Sequence, residues 1–286
     1  MTDLSPLPAL RPPSASPQQP TRVAVGGLGA IGQDLARHLA AGGVPGVVLS
    51  AVSARDRKRA AQTLERLGVD VPVLPIGELE PTADVVVECA PAELLEELAT
   101  PVLTAGKEVI VLSAGALLER PALIDLAARH GGRITVPTGA LLGLDAVRAA
   151  AEGPVASVRM VTRKPARGLT GAPYLVEHGV DVEQAGEAVR VFSGSAHAAA
   201  RGFPANLNVA AALALAGIGA ERTHVEIWVD PGVERNTHTI EVDADVARLT
   251  MTIENVPSDN PRTGRITALS VISLLRNRHA TLRVGS

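Results

Sequence analysis

Three glycines carry the first chemistry the chain offers. Gly27, Gly29 and Gly32 stand at the spacing G-x-G-x-x-G, between an apolar run at residues 21–25 and a helix-like stretch at 30–41. Between a strand and a helix, that spacing holds a dinucleotide pyrophosphate. The first glycine permits a tight turn and the second lets the backbone approach the phosphates. The third lets the helix lie close on the strand, so that the positive helix N-terminus faces the anion. Ala30 and Ile31 open that helix and belong to the same cradle. Ser53 and Arg55 follow about 20 residues on, where an NAD-selective site places Asp or Glu against the ribose 2′-hydroxyl. A serine and an arginine there can accommodate a 2′-phosphate, so both NAD and NADP fit the pattern. Residues 55–59 read equally as a solvated helix start capped by Asp56.

A pyrophosphate loop works only inside a succession of strands and helices, and the chain supplies one. Apolar, β-branched runs at 21–25, 47–52, 71–74, 84–88, 109–112 and 133–136 predict strands. Stretches at 30–41, 55–67, 92–104 and 121–129 predict the helices between them. Near-continuous Val/Ile/Leu strands alternating with helices indicate a parallel sheet covered on both faces. The expected fold is therefore α/β, a Rossmann-type doubly wound parallel sheet over 21–137, joined to a second, α+β catalytic domain over 138–258. Residues 1–20, rich in proline, read as a disordered leader, and 259–286 are expected to pack back on the first domain. Ligands in such sheets lie beyond the strand C-termini. That rule adds Cys89 and Ala90 to the cofactor side, with Cys89 as a small packed residue because no histidine lies near it in sequence.

Composition narrows the function. Trp228, Tyr174, Phe192 and Phe203 are the only aromatics, so the core is Ala, Val, Leu and Ile, and no stacking platform for single-stranded nucleic acid is present. A net charge of -3 leaves no basic field for a phosphate backbone. One cysteine excludes an internal disulfide and a cysteine-based metal cluster, which suits a reducing cytoplasm. The longest uncharged stretch, 202–220, is broken by Pro204, Asn206, Asn208, Gly217 and Gly219, so no membrane span and no membrane partner are predicted.

From Pro137 the texture changes. Strand-like runs at 155–162, 189–192, 224–229, 237–242 and 249–253 accompany helical stretches at 146–152, 207–216 and 263–276. Several of these strands alternate, as in Val225-Glu226-Ile227-Trp228-Val229, which suits a sheet with one solvated face. Four polar stretches punctuate this half: 137–145, 203–210 with two amides at a helix start, 230–238 leading into a strand with a histidine, and 254–264.

These four stretches, in this order behind the glycine loop, resemble the L-aspartate dehydrogenase family, and the resemblance runs through 270–277. It implies that the alanine of the family's P-x-G-A motif falls on Ala140 and the second asparagine of its N-x-N motif on Asn208, both as NAD contacts. It implies that the active-site histidine of its N-x-H motif falls on His238. Residues 168–179 have no clear counterpart. The activity implied is NAD(P)-dependent, reversible oxidation of L-aspartate to oxaloacetate and ammonia through iminosuccinate, by a cytoplasmic homodimer that can feed NAD biosynthesis. A histidine suits the proton transfers because it trades protons near neutral pH. The substrate's carboxylates need cationic or donor partners. Arg163 and Lys164, just past the predicted strand 155–162, are candidates, and Asn206 either joins them or caps the helix that follows. Two other readings stay open: a reductase of another small amino or keto acid on the same plan, and a non-catalytic NAD(P)-binding sensor.

Overall fold

The computed structural model describes residues 19–183, 185–204, 207–256 and 264–284. The first half runs β1 (Thr21–Gly26), α1 (Ala30–Ala40), β2 (Val47–Ser53), α2 (Arg57–Leu67), β3 (Val73–Leu74), β4 (Val85–Glu88), α3 (Leu95–Thr104), β5 (Glu108–Val111), α4 (Ala114–Leu118), α5 (Pro121–His130) and β6 (Arg133–Thr135). All six strands pair in parallel, in the order β3-β2-β1-β4-β5-β6. Successive residues of a strand point to opposite faces. Val23, Val25, Val85, Val87 and Ile110 pack with α1 and α2, while Ala24, Val86, Val109 and Val111 pack with α3 and α5. Both faces are thus dry, which is why these strands read as unbroken apolar runs. The strand order reverses between β1 and β4, and a doubly wound sheet binds its ligand at that crevice.

The second half continues α6 (Leu144–Ala151), β7 (Val155–Lys164), α7 (Pro173–Glu177), β8 (Val189–Ser195), α8 (Ala196–Gly202), α9 (Asn208–Ala216), β9 (Thr223–Val229), β10 (Asn236–Ala244), β11 (Arg248–Asn255) and α10 (Ile266–His279). Its sheet has the order β11-β10-β7-β9-β8; β7 and β9 are parallel and the other pairs antiparallel. Val158, Met160, Val225, Ile227, Ile240 and Val242 face a core closed by α6, α8 and α9. Helix α9 is apolar nearly all round, as a helix sunk in a core must be. Helix α10 returns to the first half, where Ala268, Val271, Ile272 and Leu275 join the core beside α1.

Three local differences from the sequence expectations have physical causes. Helix α2 starts at Arg57 rather than 55, because the Asp56 carboxylate accepts the Arg59 N–H at 3.0 Å and so caps the helix two residues later. Strand β7 runs two residues past 162, so Lys164 falls in register with the buried positions of the sheet. The short helices α4, α7 and α8 were not anticipated, since none is long enough to show a 3.6-residue period. Among the described residues, no helix is long and apolar enough to cross a membrane.

Candidate active site

The glycine loop has the geometry its spacing implies. Gly27 takes φ +111, and a Cβ there would stand 2.5 Å from the Cys89 carbonyl oxygen. A Cβ on Gly32 would collide with the Gly27 carbonyl, so only glycine lets α1 pack this close to β1. Gly29 differs from both: a Cβ built there meets nothing within 4 Å. Its bare face opens on the crevice, where an anion can approach the backbone. Helix α1 has no acidic residue in its first turn and no side-chain cap, so its first N–H groups remain available to that anion.

A cleft of about 280 Å³ continues from this loop to the second sheet. Gly29, Ala30, Ile31, Cys89 and Ala90 line one end, and Ala140, Lys164, Asn208, Asn236, His238 and Asn255 line the other. Residues distant in sequence meet here through strand register. His238 on β10 stands opposite Thr162 on β7, and its Nδ1 lies 3.1 Å from Thr162 Oγ1. That contact leaves Nε2 as the ring nitrogen for the cleft. Lys164, only 2% exposed, is two residues along the same strand as Thr162. Burial, reinforced by the Lys164 ammonium, lowers the imidazole from its ordinary 6.5 to about 3. His238 is therefore neutral throughout the ordinary pH range, not poised near 7 as the residue type alone suggests. On β11, Asn255 donates from Nδ2 to the Ala140 carbonyl at 2.8 Å, while Ser270 Oγ on α10 accepts the Gly139 N–H at 3.1 Å. The loop carrying Ala140 is held from both sides.

At the β4–β5 side, Glu88 is fully buried. Its Oε2 accepts the N–H groups of Leu112 and Ser113 at 3.1 and 2.8 Å, and its Oε1 accepts the Ser113 hydroxyl at 3.0 Å. Burial raises the carboxyl group's pKa, and these donors oppose the rise. Asn208 Oδ1 accepts the Gly115 N–H at 3.1 Å. That bond engages the oxygen of a side chain that lines the cleft and leaves its Nδ2 as the amide's donor group. Burial, helped by the Glu88 charge, raises the Cys89 thiol well above its usual range, so it is an unreactive packed thiol.

The structure gathers most of the sequence candidates and separates a few. Ser53 is buried at the end of β2, where its carbonyl accepts the Gly27 N–H at 2.9 Å, and Arg55 is exposed; neither side chain lines the cleft. Asn206 lies outside the described residues. Arg163 is a correction. The pleat turns it to the opposite face from Lys164, where it pairs with Asp230 at 2.9 Å and lies over the Trp228 ring, so it is no carboxylate anchor in the cleft. Sequence reasoning missed Glu88, Thr162, Asn236 and Asn255. Three of them left a signal: Glu88 as an acid ending the otherwise apolar run Val85-Val86-Val87, Asn236 as the asparagine of the N-x-H stretch, and Asn255 within the polar stretch 254–264.

Two family models match the chain. Residues 145–278 match the family model described as aspartate dehydrogenase, C-terminal, and residues 27–137 match the homoserine dehydrogenase NAD-binding domain. The chain is 60% identical to L-aspartate dehydrogenase 3 of Bordetella bronchiseptica, over 92% of this chain and 97% of that protein. It is 54% identical to an L-aspartate dehydrogenase of Bradyrhizobium diazoefficiens, over 93% and 94% respectively. The crystal structure of aspartate dehydrogenase from Thermotoga maritima superimposes with a TM-score of 0.71 at 25% identity, covering 93% of this chain and 99% of that one.

Proposed function

The chain belongs to the aspartate dehydrogenase family, and on that premise we propose that it oxidises L-aspartate with NAD(P)+ and water to oxaloacetate, ammonia and NAD(P)H. The observation that carries this reading is the cleft itself. It joins a pyrophosphate loop to a buried lysine and a buried histidine within one small volume. At about 280 Å³ it lies near the lower limit of small-molecule sites, which suits a nicotinamide end and a four-carbon acid rather than a whole dinucleotide. Gly29 and the N-terminus of α1 would hold the pyrophosphate of the remainder. The residues fit the cofactor: the space at Gly29 is bare, the helix start is free of acids, and Asn208 offers amide donors.

When bound, the dinucleotide would supply the acceptor for the hydride that leaves the substrate Cα. Lys164 holds a carboxylate of the substrate, since it brings a cation to the cleft lining within a few residues of His238 in the folded sheet. That same pairing offsets the Lys164 charge, the smaller of the two causes that depress His238 after burial, so substrate binding raises the imidazole's affinity for a proton. Nε2 then takes a proton from the reacting amine or from the water that adds to the imine, while Thr162 holds the ring through Nδ1. Hydrolysis of the imine yields oxaloacetate and ammonia; its release instead supplies NAD biosynthesis in the cytoplasm. The protein works as a homodimer through the helix-free face of the second sheet, where Arg163, Trp228 and Glu241 stand.

The test is steady-state kinetics with L-aspartate, D-aspartate, and oxaloacetate plus ammonia against both cofactors. Turnover restricted to the L-isomer and its products, and lost in His238→Ala, is expected. Absence of aspartate-dependent NADH or NADPH formation overturns the assignment. Sedimentation of the purified protein at a monomer's mass overturns the dimer.

A further inference from the structure

Glu88 is a buried acid at the edge of the cofactor cleft with no role in the reaction described above. The atoms around it say what it does. All its hydrogen-bond partners are donors: two consecutive backbone N–H groups and a hydroxyl from the turn that leaves β5, and the Ala90 N–H just beyond its own strand. Such a donor set suits a carboxylate that receives rather than gives hydrogen bonds. The turn it holds, Leu112-Ser113, opens α4, a helix of only five residues whose first N–H groups have no partner inside the helix. Two residues beyond Ser113, the Gly115 N–H meets Asn208 Oδ1 at 3.1 Å, across the junction of the two halves. There is no room to spare, since a Cβ on Gly115 would stand 3.3 Å from that same oxygen.

We propose that Glu88 is a positioning residue for the cofactor: by holding the Leu112-Ser113 turn, its carboxylate places the Gly115 N–H that orients the Asn208 amide toward the nicotinamide end. Without that hold, α4 shifts against α9 and Asn208 loses the contact that directs Nδ2 into the cleft. The inference rests on dinucleotide binding alone and stands apart from the identity of the amino-acid substrate.

The test separates reach from charge with two mild variants. Glu88→Asp keeps the charge but is one methylene short of the turn. Glu88→Gln keeps the reach and loses the charge, and its one amide oxygen still accepts the two N–H groups of the Leu112-Ser113 turn. Binding of NADH and of ADP-ribose, which lacks the nicotinamide, is measured by calorimetry without substrate. Glu88→Asp is expected to weaken NADH about tenfold and leave ADP-ribose unchanged, the loss of one hydrogen bond's worth of placement. Glu88→Gln stays within about threefold of the parent for both ligands. In an Asn208→Ala background, Glu88→Asp adds less than about twofold, because the two residues act through one contact. The proposal is overturned if the two variants exchange places, if ADP-ribose weakens in step with NADH, or if the Asn208 and Glu88 effects simply add.

Discussion

On one wall of the cleft, Gly29 leaves a bare patch of backbone and α1 offers N–H groups; on the other, Lys164 and His238 bring buried side chains. The first wall is built from a few neighbouring residues and serves a part of the cofactor that many enzymes share. The second is assembled from β7, β10, β11 and the start of α9. The residues of the first wall fall within the stretch that matches an NAD-binding domain model, and β7, β10, β11 and α9 within the stretch that matches the aspartate dehydrogenase C-terminal model. The two walls predict that cofactor binding and substrate choice respond to different substitutions, Asn208 at the start of α9 excepted.

His238→Ala should have the largest effect, lowering kcat about a thousandfold by removing the proton-exchanging group. Its NADH dissociation constant should change little; an equal loss in both would merge the two walls into one. Lys164→Met comes next, with kcat/KM for aspartate reduced about thirtyfold or more through the lost charged contact. Removing the cation should also raise the His238 pKa, observed by NMR, yet leave it below 6.5 because burial is the larger cause. If it stays at about 3, Lys164 exerts no field on the ring.

Acid should weaken the second wall specifically. An unfolded histidine takes up its proton near 6.5, whereas buried His238 does so only at about 3, so the stability it contributes is present above 6.5 and is lost as pH falls toward 3. Between pH 7 and pH 5 this amounts to roughly 2 kcal/mol. Urea titrations of the parent and of His238→Gln should differ in pH dependence by that amount; identical dependence would show that the ring is not buried in a neutral form. The smallest effect falls on the first wall. Gly29→Ala should weaken NADH about tenfold while Tm is unchanged, because the new methyl enters space that the cofactor uses and the protein does not. Gly32→Ala should lower Tm as well, since its Cβ strikes the Gly27 carbonyl. If Gly29→Ala lowered Tm equally, the bare patch would be a packing feature and not a cradle.

What was legible in the chain depended on range. The parallel sheet showed because strands buried on both faces must be apolar at every position, as in Val85-Val86-Val87. Arg163 and Lys164 are adjacent and chemically alike, and only the pleat decides that one pairs with Asp230 while the other enters the cleft. Thr162 gave no sign of itself, because its partner His238 is 76 residues away and the two meet only through register. The family resemblance nominated Ala140, Asn208 and His238 as motif residues, but no motif describes the contacts that hold them.

The sequence by itself determined the alternation of elements, the glycine loop and the residue types available for chemistry, since periodicity and turn geometry are local properties of the chain. The tertiary structure decided which of those residues face one another, which nitrogen of His238 is held, and how far the imidazole is from its ordinary pKa. Hydrogen bonds and electrostatic fields act across short distances in space, and β7 and β10 become neighbours only when the second sheet folds.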